Sequence, residues 1–121
     1  MTVLLVLVGG AVGAPARYLA DLFVQSRHRF ALPFGTLAVN VVGSFALGLV
    51  ASLAAHGSVS QWVLTLIGTG LCGALTTFST FSFETLRLVE SGRHRAALGN
   101  VLVSLGAGLV AVALGWWLGS L

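Results

Sequence analysis

Gly68-Thr69-Gly70-Leu71-Cys72-Gly73-Ala74-Leu75-Thr76-Thr77-Phe78-Ser79-Thr80-Phe81 is the stretch that decides how the chain is read. It lies at the centre of a segment from about Gln61 to Glu90 that is too long and too varied for one plain helix. Glycines followed by a cluster of hydroxyls predict a helix that breaks near Gly73 to Thr77 and then restarts. The string Gly68-x-Gly70-x-x-Gly73, with Glu90 downstream, formally matches a dinucleotide-binding fingerprint. That fingerprint needs a strand, a turn and a helix in an alternating α/β chain, whereas everything around the string reads as membrane span. The reading that remains is a broken membrane span. Freed backbone is tolerated at membrane depth only where it is buried in protein or lines a wet cavity.

Composition points the same way. The 121 residues are 57% hydrophobic and 7% charged, with a mean hydropathy of +1.02, whereas an ordinary soluble domain carries about 25% charged residues. A chain of this size cannot hide so much apolar surface in a soluble core. A bilayer supplies the missing burial, at about 20 apolar residues per spanning helix. The expected fold is therefore an all-α membrane protein with four transmembrane helices, forming one domain over residues 1–121. The apolar run begins at Thr2 with no basic residue before it, so it is expected to be a permanent helix rather than a cleaved signal. Cys72, the one cysteine, falls inside a span and allows no intrachain disulfide.

The other spans are expected at about Thr2 to Phe23, Thr36 to Ala54 and Ala96 to Leu118. Gly9 and Gly13 have the small-xxx-small spacing that lets helices approach closely in lipid. The polar run from Gln25 to Arg29 should end the first span, Pro33 should precede the second, and His56 with Gly57 should close it. Trp116 and Trp117 suit the aromatic belt at the membrane surface. So small a chain is expected to oligomerise before it can enclose a pathway.

Polar residues inside the spans carry the functional signal. Thr36, Asn40 and Ser44 recur every four residues and share a helix face, as do Asn100 and Ser104. The plainer reading of these stripes is helix-to-helix glue, worth about 1 kcal/mol per contact in lipid. Thr76, Thr77, Ser79 and Thr80 are interleaved with Phe78, Phe81 and Phe83, placing neutral donors beside aromatic rings without a cationic cluster. Such a lining suits a small, strongly hydrated anion, since donors replace its water and positive ring edges face it. Continuous fixed positive charge would hold the anion too tightly for release.

Six arginines and no lysine set a pI near 10.6. Arg27, Arg29, Arg93 and Arg95 fall beside helix ends, where anionic head groups rather than nucleic acid are the expected partners. Arg17 and Asp21 are spaced for a local ion pair, as are Glu84 and Arg87. Arg17 also suits a wet entrance, where one cation focuses anions. His28, His56 and His94 have no second ligand at metal spacing. Neither the cysteine nor the three acids form a catalytic arrangement, so no enzyme is expected.

Three motifs together resemble the Fluc/CrcB family: Gly9-Gly10-x-x-Gly13-Ala14-x-x-Arg17-Tyr18, Gly35-Thr36-x-x-Val39-Asn40-x-x-Gly43-Ser44-Phe45, and Gly73-x-x-Thr76-Thr77-Phe78-Ser79-Thr80-Phe81. The resemblance covers essentially the whole chain. It implies a fluoride-selective ion channel of the cell inner (plasma) membrane that exports cytoplasmic fluoride passively, built as an antiparallel, dual-topology homodimer with two pores. It implies further that Asn40 donates to fluoride, that Phe78 and Phe81 line the route with their ring edges, and that Thr80 and Ser104 continue the polar track. Arg17 would be the vestibule cation, and a structural sodium ion would sit on the dimer axis against the backbone carbonyls of Gly73 and Thr76. Two positions depart from the family pattern: Gly108 stands where a hydroxyl would extend the track, and Asn100 where a tyrosine is often found.

Charge placement adds a topological expectation. The loops around residues 24–33 and 91–95 lie on one side and carry four arginines, while the loop around 56–60 carries none. The positive-inside rule then places both termini outside. A dual-topology homodimer is expected to override this bias; the alternative is a heterodimer with an oppositely oriented relative. Two rival functions remain: a small multidrug-type proton-coupled transporter, which wants an embedded glutamate that the first span lacks, and a non-conducting membrane scaffold subunit.

Overall fold

A computed structural model describes residues 1–27 and 34–121. Its helices are α1 (Thr2–Arg27), α2 (Phe34–Ala55), α3 (Gln61–Val63), a π-helical stretch (Leu64–Cys72), α4 (Gly73–Leu75), α5 (Phe78–Glu90) and α6 (His94–Gly119). Among the described residues, four stretches are long and apolar enough to cross a membrane: Thr2–Ala20, Gly35–Ala55, Gln61–Glu90 and His94–Gly119. The all-α, four-span architecture is thus as expected, and the third span has the expected limits. The first helix departs from expectation by running through Gln25 and Ser26 to Arg27. Polar side chains end the apolar stretch, but no glycine or proline follows Pro15 in this helix to stop the backbone ladder. Pro33, His28 and Arg29 lie outside the described residues.

Both short connections that are described carry a left-handed glycine just after the preceding helix. Gly57 has φ +77° and Gly92 φ +80°, a conformation that costs glycine little because it lacks a Cβ. Around Gly57, the Ser58 N–H donates to the Leu53 carbonyl at 2.8 Å and the Gly57 N–H to the Ala54 carbonyl at 3.2 Å. Around Gly92 the same pair runs from Arg93 to Leu88 at 2.9 Å and from Gly92 to Val89 at 3.0 Å. These paired bonds close α2 and α5 by satisfying carbonyls that a helix end leaves open.

Packing between spans rests on glycine. A Cβ on Gly9 would lie 2.3 Å from the Leu66 carbonyl oxygen, and one on Gly13 2.3 Å from that of Leu71, so α1 meets the π-helical stretch backbone to backbone. Likewise α2 meets α6: a Cβ on Gly48 would be 2.3 Å from the Val112 oxygen, and one on Gly115 2.2 Å from the Phe45 oxygen. Lipid gives helices no hydrophobic reason to associate, so this closeness supplies the van der Waals contact that does. These small-residue faces are therefore consumed within the chain.

The break falls at the midpoint of the third span. Thr76 (φ −81°, ψ 159°) is extended, as is Thr77 (φ −151°, ψ 122°), whereas Gly73 begins a helical turn. The interruption thus occupies the last two positions of the stretch from Gly73 to Thr77. Its cause is the threonine pair, not glycine flexibility. The glycines serve the α1 contact, and the π geometry, which occurs frequently at functional sites, brings Gly70 to it: a Cβ there would lie 3.0 Å from the Gly9 Cα.

Candidate functional site

Two side chains hold the break open. Thr77 caps α5 by accepting the Thr80 N–H on its hydroxyl at 3.2 Å, and its own hydroxyl donates to Thr80 Oγ1 at 3.1 Å. Asn40, on α2, pairs with the Thr77 peptide from both ends of its amide. Its Oδ1 accepts the Thr77 N–H at 2.8 Å and its Nδ2 donates to the Thr77 carbonyl at 3.1 Å. In an unbroken helix the Thr77 and Thr80 N–H groups would donate to the carbonyls of Gly73 and Thr76. Diverted to Asn40 and to the Thr77 hydroxyl, they leave those two carbonyls outside the helical ladder.

Beside the break lies a cavity of about 410 Å³ whose wall includes Asn40, Ser44, Thr76, Phe78, Phe81 and Ser104. Arg, His, Asp and Glu are absent from its lining among the described residues. The rings of Phe78 and Phe81 are 5.8 Å apart and tilted by 44°, so ring edges as well as faces turn toward neighbouring space. Phe78 is 78% exposed, a large ring left uncovered at the mouth of the cavity. Neutral donors plus positive ring edges can stabilise a small anion without fixed charge.

The structure places the expected site residues unevenly. Asn40, Phe78, Phe81 and Ser104 share the cavity wall, and the Gly73 and Thr76 backbones adjoin it. Thr80 lies outside that wall, exposed, and meets the wall residue Thr77 through its hydroxyl and its N–H. Arg17 is half-buried on α1, away from the cavity. Gly108 also lines the wall, and a Cβ there would sit 3.8 Å from Ser44 Oγ.

Sequence reasoning did not see several pairings. The Thr36 hydroxyl donates to Glu84, and this acid is half-buried where α2 meets α5. Arg87 lies with its guanidinium 5.8 Å from the Phe83 ring centre. Asn100 is buried at 4% exposure; its Nδ2 donates to Thr85 Oγ1 at 2.8 Å and its Oδ1 accepts the Ser104 hydroxyl at 3.4 Å. Thr85 in turn donates to the Phe81 carbonyl at 2.8 Å. The available signal was the cost of an unpaired amide in lipid, which requires partners without naming them. Among the described residues no three His, Cys, Asp or Glu side chains gather to hold a metal; the oxygen donors suited to a hard cation are the freed carbonyls.

Among the described residues, four apolar spans, one interrupted beside a largely apolar cavity whose wall carries an amide, hydroxyls and aromatic rings, define a multi-pass membrane protein. The chain belongs to the CrcB family: the family described as CrcB-like protein, Camphor Resistance (CrcB), matches residues 4–116. It is similar to fluoride-specific ion channel FluC 1 of Streptomyces avermitilis, 51% identical over 117 residues that cover 97% of this chain and 94% of that protein. FluC 1 of Frankia casuarinae is 52% identical over 120 residues, covering 95% and 93%. FluC of Shewanella putrefaciens is 48% identical over 113 residues, covering 93% and 91%.

Proposed function

We propose that this chain is a fluoride-specific channel of the plasma membrane that lets cytoplasmic fluoride leave passively. The observation that carries the proposal is the cavity wall, which gathers an amide, hydroxyls and two tilted rings without a fixed charge, in a chain half identical to proteins named as fluoride channels. No enzymatic step is involved. The membrane potential assists exit, each charge gaining about 2.3 kcal/mol per 100 mV.

In this reading the second hydrogen of Asn40 Nδ2 donates to fluoride, since an amide nitrogen has two and Thr77 engages one. Phe78 and Phe81 offer ring edges, Ser104 and Thr80 add hydroxyls, and Arg17 draws anions toward the entrance. A second, antiparallel copy would cover the exposed Phe78 ring and the open cavity. The carbonyls of Gly73 and Thr76 suit a structural sodium ion on that dimer axis, because hard cations take oxygen ligands and the break removes the helical donors of these two. Such an ion would neutralise the carbonyl dipoles where two breaks meet.

The test is fluoride efflux from liposomes holding the purified chain, read by a fluoride electrode, with chloride as control. Fast fluoride-selective efflux that persists without a proton gradient, and is lost in Phe81→Ile, is expected. No efflux from folded protein, alone or with an oppositely oriented relative, overturns the channel. Efflux restored only by adding an oppositely oriented relative replaces the homodimer by a heterodimer.

A further inference from the structure

Asn100 stands outside the cavity wall, yet it joins a residue on that wall to the helix that carries Phe81. Its side chain is one of few buried polar groups, and both ends of its amide are engaged: the oxygen accepts from Ser104 at 3.4 Å and the nitrogen donates to Thr85 at 2.8 Å. Thr85 passes the polarity on by donating to the Phe81 carbonyl at 2.8 Å. Because the nitrogen is committed to Thr85, the oxygen is the end left facing Ser104. The orientation of this amide is thereby fixed from the α5 side.

This fixes what Ser104 presents to the cavity. A serine hydroxyl has one donor and two acceptor lone pairs. While its hydrogen lies on Asn100, lone pairs face the open space, which disfavours an anion. The 3.4 Å contact is long for a hydroxyl bond, so an arriving anion can draw the hydrogen away at small cost. Without the Asn100 oxygen, the hydroxyl would turn back to the carbonyl four residues earlier in its own helix, the usual resting partner of a mid-helix serine, and that tighter bond would hold the hydrogen from the ion.

We infer that Asn100 is a positioning residue: it holds the Ser104 hydrogen loosely, as a donor that swings to the passing anion and returns. This inference rests on the channel reading above. Its test is the fluoride efflux rate of wild type, Asn100→Leu, Ser104→Ala and the double variant, with thermal unfolding of each as a check on folding. Asn100→Leu is expected to slow efflux by about fivefold to tenfold, the scale of one neutral hydrogen bond, and to add nothing in the Ser104→Ala background. A merely structural role would multiply with the serine change instead.

Thr85→Val, which keeps the shape but releases the amide nitrogen, gives a second route to the same comparison if Asn100→Leu does not fold. Wild-type efflux in either folded single variant, or slowing that multiplies in the double variant, overturns the inference. Absence of efflux in the wild type overturns the channel reading instead, so the two failures are distinct.

Discussion

The Asn40 side chain and the Thr77 peptide form a two-way pair, with Thr77 donating its N–H to Oδ1 at 2.8 Å and accepting Nδ2 on its carbonyl at 3.1 Å. An amide thus stands in for the neighbouring turn of helix that the break removes. The same residue lines the cavity, so the group that holds the backbone open also faces the space so created. Replacing Asn40 by Leu removes both of these bonds, at about 0.5–1.5 kcal/mol each. Both a lower unfolding temperature and lost fluoride efflux are expected; full thermal stability in the variant would show that the pair contributes nothing.

Thr77 also caps α5 through its hydroxyl. Thr77→Val keeps the shape and removes the cap, so a loss of about 1 kcal/mol is expected, with Thr77→Ser restoring most of it. Amide hydrogen exchange at Thr80 should accelerate in the valine variant and return in the serine one.

Glycine at contacts and glycine in open space should respond oppositely. A Cβ on Gly115 meets backbone at 2.2 Å, whereas one on Gly106 meets nothing within 4 Å. Gly115→Ala should force α2 and α6 apart and cost more than about 3 kcal/mol, beyond ordinary overpacking. Gly106→Ala should stabilise α6 by up to about 1 kcal/mol. Unfolding temperatures of the two variants, measured side by side in one detergent, check the contrast.

Gly108 leaves a gap in the cavity wall that the fold can fill. With its Cβ position 3.8 Å from Ser44 Oγ, Gly108→Ser fits without a shift and brings a second hydroxyl within reach of the first. Retained fluoride efflux and unchanged or slightly higher stability are expected. A collapse in either would mean that the wall needs the space rather than the donor.

Apolar runs and glycine spacing were enough to read the four spans, because lipid demands long uninterrupted hydrophobic helices and leaves little room for other arrangements. The break was legible to within a few residues from its hydroxyl cluster. Its cause was not: the glycines drew attention, while Thr77 and a residue 37 positions earlier hold it. Pairings such as Thr36 with Glu84 and Asn100 with Thr85 depend on which helix faces meet. Periodicity gives the face of each helix and says nothing of its neighbour. The resemblance brought Asn40, Phe78, Phe81 and Ser104 together in advance, and they do share one wall; Thr80, which is exposed, and Arg17, on α1, are not part of it.

The latch between Asn40 and Thr77 also sets a timetable for synthesis. Asn40 leaves the ribosome 37 residues before the peptide that will pair with it, which at about 5–20 residues per second is a wait of about two to seven seconds. Through that interval its amide needs water or the insertion machinery as a partner, so α2 is expected to linger there until the third span emerges. The two are then expected to enter the bilayer together, as a hairpin rather than in single file.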